Sequence, residues 1–153
     1  VGPPPQGRWT PDLVRQMAAD FWKGRTSVSA NDLSPWTTQV LHKIHLGMDL
    51  TWKEAKDFSA FQRQALLIIP FPDRDMAPGK PLWEVLGVDA VLATKREYLA
   101  KYKAAIRAKW PERRYTEPEA HLIASAFLDS LQFAGGLSVP AVLAYVTALT
   151  HQD

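Results

Sequence analysis

The chain has 153 residues, 46% hydrophobic and 22% charged, with a formal net charge of +2 from 18 Lys+Arg against 16 Asp+Glu. That size and balance belong to one globular domain and exclude a disordered, collagenous or low-complexity chain. Cysteine is absent, which excludes a disulfide framework, a thiolate zinc site, a cysteine nucleophile and a haem held through a thiolate of this chain.

Residues 1–9 read as an extended, Pro-rich arm. The chain opens on Val1 rather than Met, which admits a processed terminus as well as an imposed boundary, and no basic-then-apolar signal segment stands there. Pro3, Pro4 and Pro5 fix φ and lack amide donors, so the arm is expected in the polyproline II conformation. Such a segment loses little entropy on docking, and Trp9 supplies an anchor at its end. Pro3, Pro4, Pro5 and Trp9 are therefore candidate partner contacts.

From residue 10 to 153 the pattern is that of a single all-α domain with five to six helices. Thr10 and Pro11 start the first and Gly24 stops it. Its stripe is Leu13, Met17 and Phe21, with Val14, Ala18 and Trp22 alongside. Ser34-Pro35 repeats that start signal before Trp36, Val40, Leu41 and Ile44, and Gly47 marks the end. Thr51-Trp52-Lys53-Glu54 is a capping box, and the helix it opens is expected to bury Ala55, Phe58, Phe61, Ala65 and Leu66. Prolines 70, 72, 78 and 81 with Gly79 then predict a long loop at 70–81 between the halves of the domain. A long helix follows from about Val88 to Trp110, halted by Pro111, with Val91, Leu92, Leu99, Tyr102, Ile106 and Trp110 on its apolar side. Thr116-Glu117-Pro118-Glu119 is a second capping box.

Three features carry candidate chemistry. His42 and His45 lie one turn apart on the second helix, a spacing at which two imidazoles can share a metal. Only Asp49 lies near as a third ligand, so the pair is expected to face solvent or cap the helix, and no metal is assigned. His121 and His151 have still less context. Lys95, Arg96, Lys101, Lys103, Arg107, Lys109, Arg113 and Arg114 form a basic ridge against Glu97 and Glu112. As a ridge it suits an acidic protein or anionic lipid, or is simply a solvated face. Nucleic acid is disfavoured, because the net charge is small and the apolar stripe claims Tyr102 and Trp110. Finally, the 23 residues from Ser130 to Gln152 contain no Asp, Glu, Lys or Arg. That is enough to cross a bilayer, which takes about 20, but Gln132, Ser138, Pro140, Thr147 and Thr150 dilute it. Burial inside protein, with bends at Gly135-Gly136 and Pro140, is favoured over insertion.

Residues Ala134-Gly135-Gly136-Leu137-Ser138, preceded by Phe127-Leu128-Asp129-Ser130-Leu131-Gln132-Phe133, resemble the long central helix of a cytochrome P450. That family carries Ala/Gly-Gly-x-Asp/Glu-Thr there, the small residues opening a groove over the haem. Leu137 stands at the acid position and Ser138 at the alcohol, a departure most similar to the allene oxide synthase and hydroperoxide lyase branch. The order of helices upstream is similar too. The resemblance implies an all-α fold, haem as cofactor, a fatty-acid hydroperoxide as substrate, and Gly135, Gly136 and Ser138 as the haem-facing groove. The family's Glu-x-x-Arg segment does not follow this point, and its haem-ligating cysteine is absent. The resemblance therefore implies a fragment or remnant that does not perform the family's reaction alone.

Taken together, the expected function is that of a non-catalytic structural or interaction subunit of a larger assembly, with other protein subunits as partners. No catalytic residue and no cofactor is assigned. Lys101, Lys103, Arg107, Lys109, Arg113 and Arg114 join the arm as candidate contacts. The uncharged stretch and the processed start admit an organellar, membrane-associated assembly, with anionic lipid as a second partner. Two alternatives stand beside this expectation: the haem-enzyme fragment, and a membrane-inserted or lipid-binding helical protein.

Overall fold

The computed structural model describes residues 10–66, 84, 87–130 and 143. The expected arm at 1–9, the loop at 70–81 and, but for 143, the uncharged stretch beyond Ser130 lie outside the described residues, as do Gly135, Gly136 and Ser138. Among the described residues there are five α-helices and no strand, so the chain is all-α. They are α1 (Thr10–Trp22), α2 (Ala30–Leu46), α3 (Trp52–Leu66), α4 (Val88–Lys109) and α5 (Glu117–Ser130), with a short 3-10 turn at Pro111–Arg113.

The helix ends show which sequence signals act. Gly24 closes α1 with φ +74°, a left-handed conformation that costs glycine little. The start of α2 differs from expectation. It lies at Ser29, whose hydroxyl accepts from the Asn31 amide at 3.1 Å while the Asp32 carboxylate accepts from the Ser29 amide at 3.4 Å. This capping box wins over the Ser34-Pro35 signal, and Pro35 sits buried inside the helix. So close to the N-terminus, proline deletes one bond, the one its own amide would make to the Asn31 carbonyl. Gly47 ends α2 as expected, with φ +65° and its amide donating to the Lys43 carbonyl. The Thr51–Glu54 box forms in full, each amide reaching the other residue's side chain at 3.1 Å. The second box closes differently: Thr116 Oγ1 accepts from the Glu119 amide at 3.3 Å and donates to the Glu119 carboxylate at 2.8 Å.

α2 and α3, joined by residues 47–51, pack side by side as a hairpin; α4 and α5 form a second pair, and α4 also lies on α2 and α3. The core where they meet holds Leu46, Phe58, Phe61, Ala65, Val88, Val91, Leu99, Tyr102, Ile106, Ala124 and Leu128. Aliphatic and aromatic side chains of this size contribute about 1.5–3 kcal/mol each on burial, so this cluster is the main source of stability. Leu66, expected inside, is 37% exposed, while Ser59 and Gln62 are buried. The inward face of α3 runs through Ala55, Phe58, Ser59, Phe61, Gln62 and Ala65; Leu66 falls on that same face one turn after Gln62 and stands exposed as the last residue of the helix.

Candidate functional site

Where α1, α2 and the first turn of α3 meet, three aromatic rings gather. Phe21 of α1 is buried, and its ring centroid lies 5.3 Å from that of Trp36 and 6.3 Å from that of Trp52. Trp36 is half-buried in α2 and donates its indole N–H to the Met17 carbonyl at 3.3 Å, tying α1 to α2. Trp52 is also half-buried, held at the start of α3 by the Thr51–Glu54 cap. The Gln39 amide group donates to the Leu50 carbonyl at 3.0 Å and fixes the 47–51 connection against α2. These contacts border an open cleft of about 290 Å³, lined also by Met17, Asp20, Arg25, Lys43, Met48 and Asp49. Such a volume lies at the small end of ligand pockets, the scale of a single large side chain.

The charges around the cleft are mostly matched. Arg25 lies in the α1–α2 connector, its guanidinium 4.5 Å from the Phe21 centroid and 5.6 Å from that of Trp52. It also approaches the Asp32 carboxylate at 3.5 Å. Lys43 pairs with Asp49 at 2.9 Å. Asp20 receives a hydrogen bond from the Gln16 amide group at 3.0 Å and has no cationic partner among the described residues.

A second constellation lies deeper. His42 is fully buried rather than solvent-facing or capping, which corrects the expectation for it. Nδ1 lies 2.8 Å from the Thr38 carbonyl and Nε2 lies 2.6 Å from the Tyr102 hydroxyl. A carbonyl only accepts, so Nδ1 carries the proton, and in the neutral ring Nε2 accepts from the tyrosine. Burial pushes the His42 pKa down to about 4, opposed in part by the Thr38 bond, and burial pushes the Tyr102 hydroxyl well above its ordinary range. The Phe58 ring and the imidazole meet edge-to-face, with centroids 4.7 Å apart. A cavity of about 100 Å³ opens beside His42, lined by Met48, Leu50, Glu54, Asp57, Tyr98 and Lys101. Both ring nitrogens are engaged, and the pair ties α2 to α4 as a neutral, hydrogen-bonded core contact. His45, by contrast, is exposed and packs beside Phe127, with ring centroids 5.7 Å apart. Among the described residues no group of three or more His, Cys, Asp or Glu is placed to hold a metal ion.

The basic ridge is drawn largely into contacts within the chain. Lys103 and Arg107 both reach Glu117, at 2.6 and 2.8 Å, and clamp α4 to the start of α5. Those two cations hold the Glu117 carboxyl down near 2. Lys109 Nζ donates to the Ile44 and His45 carbonyls at 2.9 and 3.0 Å. These are last-turn carbonyls of α2, so the cation satisfies exposed acceptors and meets the negative end of that helix. Arg113 lies 3.9 Å from Glu112. Lys101 is exposed, with its ammonium 5.7 Å from the Tyr98 centroid, and Arg114 is exposed in a left-handed conformation. Tyr98 is half-buried and Tyr102 fully buried.

The cleft is a convergence that sequence reading did not find. Phe21 and Trp36 were assignable to helix stripes, but nothing in their spacing joins them to Trp52 and Arg25 across three elements. Comparison with known proteins finds no matching family model, no matching characterised sequence and no matching solved structure. Among the described residues, no helix is long and apolar enough to cross a membrane.

Proposed function

We propose that the protein is a non-catalytic interaction subunit of a larger assembly. The observation that carries this reading is the cleft of Phe21, Trp36 and Trp52. Two half-buried tryptophan rings border an open cleft beside the buried Phe21 ring, an arrangement suited to receive a side chain of a partner. Two further observations support it. The buried acid–base pair, His42 with Tyr102, is satisfied and neutral, which suits holding helices rather than moving protons. Trp22, Leu66 and Leu122, exposed one each on α1, α3 and α5, add single apolar contacts outside the core. Under this proposal Lys101 and Arg114 remain the ridge residues best placed to meet an acidic partner, while Lys103, Arg107 and Lys109 brace the helices.

The test is the mass of the particle that carries the native chain. Gentle extracts resolved by size-exclusion chromatography with light scattering are expected to show the chain in particles far larger than its own 17.2 kDa. A stable monomer that co-purifies with nothing overturns the proposal. Soret absorbance in the purified material would instead support the haem-enzyme fragment, and retention in carbonate-washed membranes would support the membrane-inserted reading.

A further inference from the structure

We propose that the α1–α2–α3 cleft is a cation-recognition cage that receives an arginine side chain of a partner protein, with Arg25 as the internal placeholder that the incoming guanidinium displaces. This rests on the interaction-subunit reading and names the chemistry of the contact. Three features of the cleft lead to it.

The first is that the rings already hold a cation. The Arg25 guanidinium stands over Phe21 and within reach of Trp52, at 4.5 and 5.6 Å from their centroids. Aromatic faces carry negative potential and attract a guanidinium within about 6 Å, and a planar guanidinium also stacks on them. The second is that this occupant is lightly tethered. Arg25 lies in the connector between α1 and α2 rather than within a helix, and follows Gly24, whose φ is +74°. Its pairing with Asp32 is long at 3.5 Å, and both side chains remain about one-third exposed. The third is the charge pattern. Lys43 is committed to Asp49 and Arg25 approaches Asp32, so Asp20 stands at the cleft wall without a cationic partner among the described residues. That exposed carboxylate repels an anionic occupant, whereas a guanidinium answers both the rings and the acid. The volume of about 290 Å³ suits one such side chain.

The experiment uses the full chain and three capped tripeptides, Gly-Arg-Gly, Gly-citrulline-Gly and Gly-Glu-Gly. Binding is followed by NMR through the indole N–H signals of Trp36 and Trp52, assigned with Trp36→Phe and Trp52→Phe. The arginine peptide is expected to move both signals at millimolar concentration, and the citrulline and glutamate peptides to leave them in place. Arg25→Gln is expected to tighten the arginine peptide roughly two- to fivefold by removing the competitor, the range one exposed cation–π contact supplies. Asp20→Asn is expected to weaken it by a similar factor. Both replacements are at exposed positions, and matching circular dichroism and melting curves establish that the fold is intact. Equal shifts from arginine and citrulline peptides, preference for glutamate, no shift at all, or weaker binding by Arg25→Gln each overturn the proposal. Native particle size separates the two levels: a large particle with silent indoles sinks the cage alone, and a free monomer that binds the arginine peptide sinks the subunit reading alone.

Discussion

Replacing Tyr102 by Phe removes one oxygen from the centre of the protein and leaves the ring that packs there. In the wild-type chain that oxygen donates to His42 Nε2 at 2.6 Å, in a place where both residues are fully buried. The imidazole then keeps a lone pair without its tyrosine donor, and only a water entering from the adjoining cavity of about 100 Å³ would replace it. An unsatisfied buried acceptor costs about 1–3 kcal/mol. Tyr102→Phe is therefore expected to lower the unfolding free energy by that amount, read by urea titration with tryptophan fluorescence, with the m-value unchanged. His42→Leu removes the acceptor instead, and in the double variant His42→Leu/Tyr102→Phe no orphaned atom remains. The double variant is expected to be less destabilised than the sum of the single changes, by about 1 kcal/mol. A Tyr102→Phe protein within about 0.5 kcal/mol of wild type would refute the pairing of α2 and α4 through this bond.

The same residue sets an acid response. His42 has its pKa lowered from 6.5 to about 4, so between those values the unfolded chain binds the proton and the folded chain does not. Stability is full above pH 6.5 and falls as pH drops toward 4, by about 3 kcal/mol at roughly 1.4 kcal/mol per unit. His45, lowered by burial and by Lys109, acts in the same direction, whereas the Glu117 pair is lost only below about 4.5, as its depressed carboxyl titrates. Urea midpoints that stay flat from pH 7 to 4.5 would contradict the buried neutral imidazole, and subtracting the His42→Leu profile isolates its share. Lys109→Met keeps most of the side-chain stem and deletes both bonds to the α2 carbonyls. It is expected to destabilise by about 1–2 kcal/mol in thermal or urea unfolding, and an unchanged midpoint would show that water serves those carbonyls equally well. Ser29→Ala is expected to cost about 1 kcal/mol by the same measurement; no loss would return the start of α2 to a later position.

The fold was legible wherever local chemistry decides it. Gly24, Gly47, Pro111 and the Thr51–Glu54 box each act within one turn, and each ends or begins a helix where the pattern places it. Ser29 was hidden because Asp32 rather than Glu completes its box, and because Ser34-Pro35 offers a stronger-looking start. His42 was misjudged for a different reason. Its face of α2 runs through Pro35, Thr38 and Leu46, with Thr38 and His42 breaking any hydrophobic stripe, and only the arrival of α3 and α4 buries it. The ridge shows the same limit. Glu117 lies ten residues beyond Arg107, and the carbonyls that Lys109 meets lie more than sixty residues before it. Spacing along α4 reveals the cations but not what folds back to meet them. The cleft depends on three elements at once, and residue order alone carries no signal for such a meeting.

The aromatic cleft is expected to face a partner in the native assembly. A photo-crosslinking residue placed there, as Asp49→p-benzoylphenylalanine, tests it directly, because Asp49 lines the cleft and is exposed. The same residue introduced as Ala90→p-benzoylphenylalanine, exposed near the start of α4, serves as the reference. Irradiation of the native assembly is expected to yield a discrete adduct heavier than 17.2 kDa from position 49, and less of it when the Gly-Arg-Gly peptide is in excess. A chain that remains at 17.2 kDa from position 49 while position 90 crosslinks would contradict the account.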